Sequence, residues 1–547
     1  METFAVVMAM LVAVMLSGMI VRVLPIPVPA PFVQIALGFI IAAVFQRGVL
    51  MEPEIFFLLF LPPLLFLDGW RVSKRSVLGE SSLILQLSIG LVFLTVVGVG
   101  YLIHWMIPSV PLAVAFAIAA IVSPTDPVAV AAISKRVHIP HRMMAILEGE
   151  SLFNDASGLV AFRFAVAAAV TGAFSLWQAT VSFFWMALAS IAIGVGATAI
   201  LLVLKGKFRR RFGVEPGSDM LLSLIIPFIV YFIAEHARAS GILAAVAAGI
   251  TMSYLEMAGG LSAQARIERQ TVWTTVQLTL NGMMFVLLGE QLPIILDRLD
   301  DAAQESGQDH LFWLPVYAAA IWLGLMLVRL IWVALSIKIS EAVARRRGLV
   351  PLKVSPRMIL AMAMAGVRGA VTLAGVMTLP LALPDGSAFP SRELAICLAT
   401  FVLLISLLMA NFSLPKLLGG VGASADDGTH VDQTLARQAM LDAALESVVK
   451  TRERLTSDHP DNAELYLSAA ERLSEALRDR ADIHLSEPRD EQRAHQHSVE
   501  RQMRLEAIEA SRRAIYRLAL RHRISDTFAR EQVKLLDMQE AHLRAED

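Results

Sequence analysis

From residue 4 to residue 414 the chain alternates long apolar stretches with short charged ones, the pattern of a polytopic helical membrane protein. Each apolar stretch runs about 17 to 25 residues, enough for a helix to cross a bilayer. Thirteen spans are expected, near 4–24, 30–46, 54–70, 81–105, 111–134, 144–170, 176–204, 219–235, 239–256, 272–296, 311–338, 357–383 and 391–414. Two of them are interrupted. In the fifth, Ser123-Pro124-Thr125-Asp126-Pro127 removes two backbone donors and biases Ser123 and Asp126 away from helix. In the twelfth, Gly366-Val367-Arg368-Gly369 stands mid-segment. The expected fold class is therefore an all-α polytopic membrane protein of about 13 transmembrane helices. They divide into two inverted six-helix repeats with discontinuous helices 5 and 12, because paired interruptions in two halves mark an inverted-repeat transporter. The unpaired seventh span makes the first and eighth start on opposite sides, as inversion requires.

Alternate connections differ in charge. One set carries twenty Lys and Arg, among them Arg71, Lys74, Arg75, Lys135, Arg136, Lys205 and Lys353, and the other carries only Arg47, Arg238, Arg298 and Arg392. By the positive-inside rule the first set is cytoplasmic, the N-terminus outside and the tail inside the cell (inner) membrane. No Lys or Arg precedes Arg22 and no small-residue cleavage site follows, so the first stretch reads as a membrane helix, not a removable signal.

Composition agrees: of 547 residues 56% are hydrophobic, mean hydropathy is +0.62, and the net charge of −1 gives no reason to expect nucleic acid as a partner. The single cysteine, Cys397, excludes an internal disulfide and a cysteine metal site. No cofactor is expected. The expected domains are 1–418, the membrane part; 419–430, a flexible linker GGVGASADDGTH; and 431–547, a soluble cytoplasmic helical domain rich in Ala, Glu, Arg and Leu and divided by Pro460 and Pro488.

Ionisable groups inside apolar spans are costly and functional by default. Asp155 is the leading candidate for an ion-exchanging group: burial favours its protonated form and a bound cation its ionised form, so one carboxyl can hold either. Thr125, Asp126 and Ser151 would complete an oxygen shell suited to a hard cation. Asp126 is equally compatible with direct ligation, ligation through water, or capping a half-helix. On the sixth span the pairs Glu150/Asn154 and Ser151/Asp155 stand at i,i+4, so four polar side chains are expected on one face. Glu150 needs a cationic partner, assigned to Arg329, while Arg368 is assigned to the carbonyls of the broken helix ends. Asp68, three residues before Arg71, is read either as half of a surface ion pair or as part of an acidic cytoplasmic vestibule.

Four blocks in this order, FLPPLLFLDGW, SPTDPVAV, EGESLFNDASG and AGVRGAVTLAG, resemble the monovalent cation/proton antiporter-1 family of sodium/proton exchangers, over residues 4–418. The resemblance implies a homodimer in lipid whose mobile bundle carries the crossed broken helices and moves against a dimerisation scaffold. It implies Na+ and H+ as substrates, Asp155 as their shared carrier with Asn154 in or beside its shell, and Glu150–Arg329 as a buried structural pair. The Asn-Asp order resembles members that exchange one cation for one proton without net charge movement. A potassium/proton antiporter is the runner-up, and an intramembrane aspartyl protease the remote alternative, disfavoured because neither Asp lies in a Gly-x-Gly-Asp setting.

Overall fold

The computed structural model describes residues 2–24, 28–45, 53–72, 80–127, 130–131, 141–172, 176–212, 217–257, 263–308, 310–346, 354–419, 427–460, 463–485, 503–515, 533, 535–541 and 543. The chain forms two compact units, Met1–Val421 and Gly422–Asp547.

The first unit is helical. Its elements are α1 (Glu2–Val23), α2 (Ala30–Phe45), α3 (Pro53–Arg71), α4 (Ser81–Leu85), which passes through a π turn into α5 (Leu91–Met106), α6 (Leu112–Ile121), α7 (His141–Thr171) and α8 (Leu176–Phe212). After these come α9 (Ser218–His236), α10 (Gly241–Met257), α11 (Ala263–Asp297), α12 (Leu299–Glu305), α13 (Trp313–Arg346), α14 (Pro356–Met364), α15 (Ala370–Met377) and α16 (Arg392–Leu418). Helix occupies every apolar stretch singled out in the sequence. Among the described residues eight helices are long and apolar enough to cross a membrane, and α2, α6 and α10 are shorter apolar helices. Several helices overrun the apolar stretches. α8 reaches Phe212 and α11 starts at Ala263, because hydropathy marks where the environment changes while backbone hydrogen bonding carries a helix on into its charged flank. Of the basic residues that set the orientation, Arg47, Lys74, Arg75, Lys135, Arg136, Arg347 and Lys353 lie outside the described residues, as do most of the linker and Pro488.

Three apolar assemblies organise this unit. In one, Val99 of α5, Ile118 of α6, Phe162 of α7, Ile321 of α13 and Leu403 of α16 share a core. In another, Phe66 of α3, Ile226 of α9, Ala244 of α10 and Trp273 of α11 do so, and the third joins Leu61 of α3 and Met284 of α11 to Leu152 of α7 and Ala374 of α15. The second is drawn tight by glycine: a Cβ on Gly69 of α3 would stand 2.5 Å from the Val246 carbonyl oxygen, and one on Gly249 of α10 would press on the Phe66 carbonyl. In an apolar solvent such close backbone approach replaces the hydrophobic effect as the force between helices.

The two interrupted segments meet. α6 stops at Ile121 and helix resumes only at Pro127; α14 stops at Met364 and α15 begins at Ala370. Asp126 N–H, in the first gap, donates to the Val367 carbonyl in the second at 2.7 Å. Backbone groups freed by each break are thus satisfied by the other, the condition for irregular chain at membrane depth.

The second unit contains α17 (Asp427–Asp458) and α18 (Ala463–Leu485), which pack on each other with Pro460 between them. Beyond them Arg512 pairs with Asp537 at 2.6 Å and with Glu540 at 2.5 Å, joining helical segments 503–515 and 535–541.

Candidate functional site

α7 crosses the pair of breaks with two polar rows one residue apart. Glu150 and Asn154 point into protein and are each 1% exposed. Arg329, on α13, donates to both Glu150 oxygens, at 2.5 and 2.7 Å, and its Nε donates to the Met362 carbonyl of α14 at 3.2 Å. Thr125 donates its hydroxyl to Glu150 Oε1 at 3.0 Å and accepts from Asn154 Nδ2 at 3.0 Å. A carboxylate holding a bidentate arginine and a hydroxyl retains little need for water, and that is why the charge is tolerated there.

Arg368 serves the breaks. Its side chain, 2% exposed, donates from Nε to the Val122 carbonyl at 2.8 Å and from Nη1 to the Gly366 carbonyl, while its backbone N–H donates to Ser406 Oγ at 3.1 Å. Both carbonyls lie just past the C-termini of half-helices, α6 and α14, whose dipoles are negative at that end. The opposite ends favour an anion, and one is present: Gly369 caps the N-terminus of α15, and a Cβ there would press on the Asp126 carboxylate and stand 2.7 Å from Asp126 Cβ. Glycine at 369 is what lets that carboxylate reach the positive end of α15.

Between the breaks, α3, α7 and α11 is a cavity of about 50 Å³. A water needs roughly 10–15 Å³ of such volume, so a cation with a few waters fits. Thr125, Asp126, Ser151 and Asp155 line it, and Asp68 joins them from α3. Asp155 and Asp68, both half-buried, make no hydrogen bond or ion pair with another side chain among the described residues. Of the three acids on α7, Glu148, Glu150 and Asp155, Asp155 is the one that lines the cavity.

The structure brings together Thr125, Asp126, Ser151 and Asp155 at one cavity, and Glu150 with Arg329 behind it. It does not bring Asn154 into the cavity lining. At 100° per residue Asn154 is turned from Asp155 toward Thr125, so the four α7 side chains split into two rows and do not share one face. Asp68 lines the cavity from α3, and the hydrogen bonds of Arg71 go to Gln277 and Thr274. Three polar lining residues were missed: Gln277 and Asn281 of α11 and Thr372 of α15. The signal was there, since Thr274, Gln277 and Asn281 recur at i, i+3 and i+7 along α11.

Comparison with known proteins bears on what such a site does. A family model described as "Sodium/hydrogen exchanger, transmembrane" matches residues 8–419. An Escherichia coli K12 protein described as "Uncharacterized Na(+)/H(+) exchanger YjcE" is 38% identical over 552 residues, all of both chains. A Bacillus subtilis protein described as "Sodium, potassium, lithium and rubidium/H(+) antiporter" is 42% identical over 421 residues, 76% of this chain and 62% of that one. The fold is like that of the sodium proton antiporter MjNhaP1 from Methanocaldococcus jannaschii, with a TM-score of 0.58 at 17% identity, over 77% of this chain and 99% of that one. A protease reading is excluded, and the chain belongs to the sodium/hydrogen exchanger family of multi-pass membrane antiporters.

Proposed function

We propose that this protein exchanges protons for Na+ one for one, with Asp155 as the carrier and Thr125, Ser151 and Asp126 as cation-binding partners. The observation that carries the reading is the cavity at the crossing of the two breaks, where Asp155 has no side-chain partner among the described residues while Glu150 is held by Arg329. A carboxyl open to either a proton or a cation, and not to both, couples their movements by competition alone. Asp126 lies against the positive N-terminal end of α15, and Asn154 is neutral and locked to Thr125. One charge is then compensated at Asp155 by either ion, which makes the exchange electroneutral. Transport is by alternating access: the helices α4–α7 with α13–α16 move against α1–α3 with α8–α11, and the cavity is lined from both sets.

The protein works as a homodimer of thirteen-span protomers built from two inverted six-helix repeats. Each has its N-terminus outside the cell (inner) membrane, an antiporter domain at 1–418, a linker at 419–430 and a cytoplasmic helical domain at 431–547. K+/H+ exchange is a second reading, favoured by the Bacillus subtilis relative, whose description names four alkali ions. The test is proton movement in proteoliposomes carrying an acid-inside gradient. Wild type dissipates the gradient on addition of NaCl, and LiCl and KCl rank the ions; Asp155→Asn, folded by size exclusion, gives no cation-dependent response. Retained exchange in Asp155→Asn overturns the carrier assignment, and a rate that follows an imposed membrane potential overturns the one-for-one ratio.

A further inference from the structure

Arg71 is the last residue of α3, three positions after Asp68 and so its neighbour on the helix surface. Its guanidinium donates to Gln277 Oε1 and, at 3.1 Å, to Thr274 Oγ1, both on α11. Gln277 lines the cation cavity and Thr274 does not. Thr274 donates its own hydroxyl proton to the Gln270 carbonyl at 2.7 Å, so it meets Arg71 purely as an acceptor. An arginine has donors only, which forces the oxygen of Gln277 toward Arg71 and leaves an NH2 group as the free end of that amide. Such a group cannot ligate a cation. A full positive charge is thus seated on two acceptors beside a cavity that accepts cations, within electrostatic reach of Asp68, which also feels Asp126 and, from α7, Glu148.

We propose that Arg71 is a tethered counter-charge at the mouth of the cavity. It competes with the incoming cation for the cavity's carboxylates, and its seat on Gln277 and Thr274 sets how strongly. The proposal rests on the antiport reading. With both acceptors in place the guanidinium is held toward α11; with one lost it is free to turn to Asp68 on its own helix, and the Gln277 oxygen stays bound or free according to where the arginine goes. Arg71 is in this sense a positioning residue for the cation and contributes no ligand.

The test is the Na+ concentration giving half-maximal dissipation of the gradient in proteoliposomes. Removing one charge at the cavity rim in a partly aqueous setting, Arg71→Gln, lowers it about three- to tenfold. Thr274→Val, which keeps the charge and loosens the seat, raises it, and adding Thr274→Val to Arg71→Gln changes nothing further. Choline chloride narrows the gap between wild type and Arg71→Gln, as screening requires. An active wild type with an unchanged or higher half-saturation in Arg71→Gln overturns the counter-charge while leaving antiport standing. A Thr274→Val effect that persists without Arg71 also overturns it. Should Arg71→Gln give no folded protein, Thr274→Val decides alone, and an unchanged half-saturation there counts against the proposal. A wild type silent to every cation defeats the antiport reading and this one with it.

Discussion

On α7 the row Glu150/Asn154 and the row Ser151/Asp155 are one residue apart in sequence and opposite in circumstance. The first is buried and bonded: Glu150 receives Arg329 and Thr125, and Asn154 gives to Thr125. The second faces a cavity, and Asp155 has no side-chain partner among the described residues. Two acids five residues apart on one helix can therefore differ wholly in their surroundings. What separates them is whether the fold supplies their counter-charge or leaves it to be brought in.

That contrast breaks first at Arg329. In Arg329→Met the Glu150 carboxylate stays buried without its cation, a change that typically costs about 3–5 kcal/mol. The expected result is a lower unfolding temperature in detergent and lower yield, partly restored by adding Glu150→Gln, which removes the stranded charge. Asp155→Asn, by comparison, should melt at or above the wild-type temperature while abolishing exchange. Equal melting of wild type and Arg329→Met would show that the two rows are not divided as described.

Thr125 belongs to both rows. Its hydroxyl joins Glu150 to Asn154 and the residue lines the cavity. Thr125→Val keeps the shape and deletes both hydrogen bonds; Glu150 Oε1 keeps Arg329, while the buried Asn154 amide loses its acceptor at a cost of about 1–3 kcal/mol. The expected signature is mixed, a smaller loss of thermal stability than Arg329→Met together with a higher half-saturating Na+. A change in only one of the two measurements would assign Thr125 to a single row.

Much of this was legible in the sequence. Apolar length gave the helices, prolines gave the first interruption, and an acid and two arginines at membrane depth announced partners that helix spacing alone could not choose between. The choice of α7 face was not legible, because i,i+4 spacing identifies rows without saying what each row meets. Nor was the position of a helix in the bundle. The apolar windows of α8 and α16 differ greatly in burial, 17% against 67%, yet lipid and protein interior select the same side chains. Asp68 was left between a surface pair with Arg71 and an acidic vestibule, because nearness in sequence could not choose; the fold turns the acid to the cavity and the hydrogen bonds of the arginine to α11.

The smallest expected effect sharpens the comparison most. Ser151 is 7% exposed, lines the cavity one turn before Asp155, and contributes one neutral oxygen. In Ser151→Ala no charge is stranded and little volume is lost, so thermal stability and the maximal rate should stay at wild type. A hard cation would lose one of several oxygen ligands, replaceable in part by water in a cavity that already has room for it. Half-saturating Na+ should rise about three- to tenfold, the scale of one hydrogen-bond-sized interaction. Because a proton on Asp155 needs no oxygen shell, the same variant should leave the affinity for protons nearly unchanged, so that rates measured across pH at saturating Na+ superimpose on wild type. A shift of the proton dependence as large as that of the Na+ dependence would mean that Ser151 holds the carboxylate in place and does not touch the cation.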